Sequence, residues 1–329
     1  MRLPRFRYLE PRSLEEAVAF LGEHGNQCKI IGGGTDLLPS MKQGIFKPAV
    51  LLSPEKIPDL DKLEWDGHGG LRLGPLVKIR TLETDQRILQ RYPMVHQAAR
   101  VLASPQLRFM GTVGGNLSLD TRCYYYNQSD SWRKSRPRCI KMGGEVCNAI
   151  GGGKKCFAVF SSDLAPVFVA LEARVKLLSQ RGERTLPLYD YYSGNGAKPI
   201  FKEPDEMLVS VEIPPPPEGV YTTYLKYRIR KSIDFPLASL AAVLSVDKEE
   251  KVCRKAKIVI GGVGSRPQEV KEISRLLAGK KVDEAMIADS ADLGFKAARP
   301  VANQASSPEY RRLMIKFLVK KALKQAAQV

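Results

Sequence analysis

The stretch Thr121–Cys156, TRCYYYNQSDSWRKSRPRCIKMGGEVCNAIGGGKKC, limits most strongly what this chain can become. Its residues follow neither the 3.6-residue period of a helix nor the alternation of a strand. Five glycines interrupt its 36 residues. A loop of that length inside a folded chain is usually functional or disordered. It holds four of the six cysteines, spaced C-x15-C-x7-C-x8-C, where random scatter would place about 0.7 of one. Four thiols in one loop argue for function.

The chain has 329 residues, 43% of them hydrophobic, which is enough for two or three domains with real cores. No apolar run approaches the ~18 residues a membrane span requires. The N-terminus, MRLPRFRYLEPRSLEEA, lacks the apolar segment of a signal peptide, so the expected compartment is the cytoplasm. Structural disulfides are rare there. Structural zinc usually shows at least one closely spaced cysteine pair, and this loop has none. An iron–sulfur cluster tolerates irregular spacing, because separate loops can each supply a thiolate. The C-x2-C-x2-C run of bacterial ferredoxins is absent, so spacing leaves iron–sulfur, zinc, free thiols and disulfides open. Cys28 and Cys253 lie in apolar strand contexts and read as core residues.

The net charge of +17 suits an acidic partner or an anionic ligand. The basic residues are spread along the chain, the nearest clusters being Lys226–Lys231 and Arg311–Lys324. With no helix-turn-helix or RNA-recognition signature, they read as solvated faces and not as a nucleic-acid surface. The three histidines, His24, His68 and His96, lie outside every motif, which disfavours a histidine-based hydrolase.

Along the chain, Ser13 and Glu16 form a capping box for a helix through LEEAVAFL. Cys28–Ile31 and Ala49–Leu52 read as strands. Between them Gly32-Gly33-Gly34-Thr35-Asp36 is either a tight strand–helix turn or a phosphate cradle of backbone N–H groups. Strands are expected at Leu71–Leu73 and Val77–Ile79, with helices over about Leu82–Gln90 and Met94–Leu102. A second glycine cluster, Gly111–Asn116, precedes the cysteine loop. Asp163 reads as a helix cap or as a ribose acceptor. Strand Ala173–Leu178 follows, and Met207–Ile213 alternates as a half-buried strand should. Pro214–Pro217 is a stiff break. Beyond it come strands at about Tyr221–Ile229, Leu237–Val246 and Ala256–Ile260, then helices at about Gln268–Leu277 and Pro308–Ala327. The fold class expected is α+β. Three units follow: 1–58, 59–216 with the insert 121–157, and 217–329.

Five motifs in order resemble the flavoprotein (medium) subunit of the molybdenum hydroxylases, the xanthine dehydrogenase and carbon monoxide dehydrogenase family. They are IIGGGTDLLPSMKQG, GTVGGNLSLDTR, SSDLAPVFVALEA, MLVSVEIP and KYRIRKSIDFPLASLAA, spanning Ile30 to Ala242. The cysteine insert, with CYYYNQSDSWR at its start, looks like the β subunit of 4-hydroxybenzoyl-CoA reductase. The resemblance implies an FAD-binding domain of two α/β subdomains of PCMH type and a C-terminal α+β domain. FAD would lie between the subdomains, wrapped by Ile31, Gly32, Gly33, Gly34, Thr35, Asp36 and Leu37 and by Thr112, Val113, Gly114, Gly115 and Asn116. Leu102 would lie near the flavin, Asp163 on the ribose side, Leu208 on the adenine side and Lys226 at a polar edge, with Tyr124 touching FAD. Cys123, Cys139, Cys147 and Cys156 would ligate a [4Fe–4S] cluster.

The resemblance also implies partners: a molybdopterin-binding large subunit, a small [2Fe–2S] subunit and a ferredoxin-type carrier, assembled as a heterohexamer of two three-subunit units. Electrons would run from the carrier through the cluster and FAD to the molybdenum subunit. There a phenolic hydroxyl leaves as water, giving benzoyl-CoA. This chain would be an oxidoreductase subunit with no catalytic residue for the substrate. The alternatives are the FAD subunit of another molybdenum hydroxylase, acting on an N-heterocycle or aldehyde, and a zinc-stabilised binding module.

Overall fold

The computed structural model describes residues 2–247 and 249–328. Its first unit is a small parallel α/β layer. Strand β1 (Arg7–Leu9) pairs with β3 (Val50–Leu52), and β3 with β2 (Cys28–Ile30), both in parallel. Helix α1 (Leu14–His24) links the first two strands. Ser13 Oγ accepts from Glu16 N–H, and the Glu16 carboxylate accepts from Arg12 N–H, a close variant of the expected capping box. Helix α2 (Leu37–Lys42) starts directly after the first glycine loop.

The second unit is built on an antiparallel sheet in the order β4 (Leu63–Trp65), β5 (Leu71–Leu73), β8 (Met207–Ile213), β6 (Arg174–Ser179), β7 (Gly182–Pro187). Helices α3 (Ile79–Thr84), α4 (Gln86–Arg91), α5 (Pro93–Val101), α6 (Pro105–Met110) and α7 (Val113–Leu117) follow β5. Helix α8 (Asp130–Lys134) lies inside the cysteine insert, and α9 (Leu164–Ala170) follows it.

The C-terminal unit carries the antiparallel order β12 (Gln268–Glu269), β11 (Val252–Gly261), β10 (Ala238–Val246), β9 (Tyr221–Tyr227), with β13 (Lys280–Lys281) on β11. Helices α10 (Lys271–Leu277), α11 (Glu284–Ala297) and α12 (Pro308–Ala327) cover one face of this sheet. Among the described residues no helix is long and apolar enough to cross a membrane.

Two strands bind the units together because they are buried on both faces. Strand β8 sends Leu208, Val211 and Ile213 into the main core and Met207 and Val209 into the core of the first unit. In β10, Leu240 and Ala242 face the C-terminal helices while Ala241 joins the main core. The half-buried reading of Met207–Ile213 is thereby corrected: even Ser210 is 1% exposed.

Local departures have local causes. The single helix expected over Leu82–Gln90 breaks at Asp85, whose carboxylate accepts from Arg87 and Ile88 N–H and starts α4 afresh. Val77–Ile79 is not a strand. Lys78 makes one bridge to Thr112 of the second glycine loop, and α3 begins at Ile79. The helix expected from Gln268 begins at Lys271, because Gln268–Glu269 pairs with Val259 and Ile260. Cys28 and Cys253 lie in the cores, as their context implied.

Candidate functional site

The two glycine loops face each other across the seam between the first and second units. A Cβ on Gly33 would sit 1.8 Å from the Met110 carbonyl oxygen, and one on Gly32 would sit 2.8 Å from Thr112 Oγ1. These glycines permit an approach that no side chain allows. The loops differ in what they offer. Ile31 N–H is held by the Leu52 carbonyl and Leu38 N–H by that of Gly34. Between them, the N–H groups of Gly32, Gly33, Gly34, Thr35, Asp36 and Leu37 donate no hydrogen bond among the described residues. Consecutive free N–H groups ahead of a helix form a cradle for an anion.

The second loop satisfies itself. Val113, Gly114, Gly115 and Asn116 N–H groups donate to Val77 O, Pro75 O, Thr112 Oγ1 and Thr112 O. Val113 and Thr112 are buried. Of the two loops, the first therefore leaves backbone N–H groups available to an anion, and the second has its own committed within the protein.

Asn116 has a role the sequence did not signal. Its Oδ1 accepts from Leu164 N–H at 3.1 Å and from Ser162 Oγ at 2.7 Å, so it caps α9. Asp163, read as that cap, makes no capping bond. It is 3% exposed and accepts from Tyr224 Oη at 2.7 Å and Lys226 Nζ at 2.9 Å. Burial pushes the Asp163 carboxyl up and the Lys226 ammonium down, while their mutual attraction opposes both shifts. Lys226 Nζ also donates to the Val101 carbonyl, beside Leu102. The basic clusters are thus partly internal: the Lys226 side chain is 2% exposed, and fully buried Arg311 donates to the carbonyls of Leu237, Val301 and Gly262.

Leu102 closes α5 and is 9% exposed. Its carbonyl accepts from Arg108 Nη1, and the next residue, Ala103, accepts from Ile233 N–H. Ala103 and Ile233 both have positive φ, 44° and 59°, which for a β-branched residue is an outlier. Leu208 is buried in β8 against Leu177. Tyr124 is 50% exposed and donates its N–H to the Asn303 carbonyl.

The insert is folded. Its neck is closed by reciprocal bonds between Arg122 and Val159, tight turns present three of the cysteines, and the Cys156 carbonyl accepts from Gly196 N–H. Tyr126 and Asn127 N–H groups donate to the Cys123 carbonyl, Met142 and Gly144 to that of Cys139, and Ile150 to that of Cys147. Gly144 is required there, since a Cβ would meet the Arg138 carbonyl at 1.8 Å. Cys123, Cys139, Cys147 and Cys156 line a single pocket, with Tyr126 and Lys141 in its wall. All six cysteines are free thiols, so no disulfide joins them.

Among the described residues no three His, Cys, Asp or Glu side chains gather as ligands of one ion would. Tetrahedral zinc needs sulfurs about 3.8 Å apart, from Zn–S bonds of about 2.3 Å. A cluster instead spreads its thiolates over several irons. Burial pushes the Cys123 thiol up to about 11, with the three other cysteines adding to the shift. Such thiols become thiolates once a metal supplies the positive charge.

The match to known proteins covers most of the chain. Residues 4–216 match the FAD binding domain in molybdopterin dehydrogenase, and residues 223–326 match the CO dehydrogenase flavoprotein C-terminal domain. The aldehyde oxidoreductase FAD-binding subunit PaoB of Escherichia coli is 33% identical over 252 residues, covering 74% of this chain and 77% of that protein. The carbon monoxide dehydrogenase medium chain of Afipia carboxidovorans is 26% identical over 321 residues, covering 98% of this chain and 96% of its own. The solved structure of reconstituted CO dehydrogenase from Oligotropha carboxidovorans aligns over 100% of this chain and 99% of that one, with a TM-score of 0.82 and 25% identity. The chain belongs to the FAD-binding medium subunits of the molybdenum hydroxylase family, and is the flavin-carrying subunit of such an oxidoreductase.

Proposed function

We propose that this chain is an electron-transfer subunit with two cofactors, FAD in the glycine cleft and a [4Fe–4S] cluster in the cysteine pocket, serving a 4-hydroxybenzoyl-CoA reductase-like complex. The observation that carries the reading is the convergence of four thiols, from a loop of no regular period, on one pocket joined to the flavin-loop helix. FAD, when bound, exchanges electrons in pairs or singly, and a cluster exchanges them singly. The residues present supply the rest. Gly32–Leu37 present their backbone N–H groups to the pyrophosphate, Tyr224 and Lys226 hold the buried Asp163 in place, and Leu102 shields the cleft. Ribose contact by Asp163, adenine contact by Leu208 and flavin contact by Tyr124 are part of this proposal.

Beside Cys147 an open groove bears Arg136, Val146 and Tyr125 at its rim, which brings the edge of the pocket close to solvent. That groove and the +17 charge support an acidic, ferredoxin-type donor in a cytoplasmic setting. The partners that complete the complex are a molybdopterin-binding large subunit and a small [2Fe–2S] subunit, in a heterohexamer of two such sets.

A second reading has support of its own. Relatives named as subunits of aldehyde oxidoreductase, carbon monoxide dehydrogenase and nicotine 6-hydroxylase favour a conventional hydroxylase in which electrons leave through this chain. Iron, sulfide and flavin analysis of anaerobically purified protein tests the two-cofactor reading. Four irons and one FAD are expected per chain, with iron lost and flavin reduction by a low-potential carrier slowed in Cys139→Ser. Unchanged iron and rate in that variant, or zinc in place of iron, would sink it.

A further inference from the structure

The insert reaches both ends of helix α2, the helix that starts at the flavin loop. At its N-terminal end the Arg122 guanidinium pairs with the carboxylate of Asp36, the residue immediately before α2. The Phe235 ring centroid lies 5.0 Å from that guanidinium. At the C-terminal end Arg133, 7% exposed, donates from Nη2 to the Gly44 carbonyl at 2.9 Å and from Nη1 to that of Gln43 at 3.4 Å. Gln43 and Gly44 directly follow Lys42, the last helical residue, so Arg133 grips the turn that closes α2, where a cation also suits the helix dipole. The same Nη1 donates at 2.5 Å to the Gln128 carbonyl, one turn after Cys123. Each arginine therefore has one end in the cysteine insert and the other on the flavin-loop helix.

We propose that the insert is a clasp on the flavin loop, so that filling of the four-cysteine pocket and retention of FAD are coupled through Arg122 and Arg133. This rests on the two-cofactor reading. A pocket with its metal holds residues 123–156 in one arrangement and keeps both arginines seated. An emptied pocket frees the insert, and α2 loses both anchors. The six free N–H groups of Gly32–Leu37 then lose their fixed orientation, which weakens the hold on any anion they cradle. Coupling of this kind is reciprocal, so bound FAD also slows loss of the metal. Arg122 and Arg133 act as positioning residues: they touch neither reacting atoms nor metal.

The test measures FAD affinity by flavin fluorescence on the full chain in its complex, before and after iron is removed anaerobically by chelation. In the wild-type protein, iron removal should weaken FAD binding about tenfold, within the usual range of coupling between sites. In Arg133→Met the affinity should be weak from the start, and iron removal should change it little. Arg122→Gln provides the same comparison should Arg133→Met fail to fold. A merely structural role would lower stability without abolishing the dependence on iron. Equal FAD affinity with and without iron in the wild type overturns the coupling. Full coupling retained in either variant overturns the route through the arginines. Wild-type protein without iron overturns the two-cofactor reading instead. The clasp is then judged by FAD affinity in the variants, and unchanged affinity in both would end it.

Discussion

Gly33 shows how little freedom single positions of this site have. With the Met110 carbonyl oxygen 1.8 Å from where a Cβ would stand, Gly33→Ala must push the two glycine loops apart. The protein should fold, because the core of the first unit does not include this loop. It should be purified with FAD bound to only a small fraction of chains, which absorbance at the flavin band reads directly. Full flavin occupancy would show that the loops tolerate separation and that the N–H cradle is not the binding element. The buried pair Asp163–Lys226 teaches a related point. Both residues carry the family motif, yet in the fold each first answers the desolvation of the other. No sequence pattern signals that pairing, since 63 residues separate them.

At the scale of elements, the N-terminus of α9 shows capping reassigned across the chain. The sequence places Asp163 where a cap belongs, but Asn116, 48 residues before Leu164, does the capping. The helix is buried along its whole length, from Leu164 to Ala170, so an uncapped end has no water to turn to. Asn116→Ala should therefore cost about 1 kcal/mol, the typical value for a lost cap. Denaturant unfolding followed by near-ultraviolet signal measures this. A loss below a few tenths of a kcal/mol would mean that Ser162 Oγ, which accepts from Ala165 N–H, suffices alone. The helices the sequence rendered poorly, α3 and α4, fail for a similar reason. A side chain, Asp85, intercepts the backbone in mid-run.

For the whole molecule, charge and layering decide behaviour. The net charge of +17 is an average, and two of the cations in the apparent basic clusters, Lys226 and Arg311, are internal. What remains at the surface still favours an acidic partner. With the acidic low-potential carrier proposed above, electron transfer should slow severalfold as ionic strength rises, because at physiological salt exposed charges more than about 8 Å apart are largely screened. A rate independent of salt would remove charge from the account of docking. The three units share cores through β8 and β10, so the two glycine loops belong to bodies that fold against each other.

Much of this protein was legible in its residues. The order of its motifs gave the α+β architecture and the family. The apolar runs placed β8, β10, α5 and α12 within a residue or two. The clustering of four cysteines set the insert apart from the rest of the chain. These features are local: they depend on residues close in sequence, where periodicity, caps and turn chemistry act. Whatever depends on contacts across the chain was decided only by the tertiary structure. That includes the meeting of the glycine loops, the free N–H groups of the first and the closed bonding of the second, and the convergence of the cysteines on one pocket. It also includes the grip of Arg122 and Arg133 on α2, across 86 and 89 residues. A lone arginine in a polar loop carries no mark of its partner. Its role is set by the carbonyl or carboxylate that burial brings within reach.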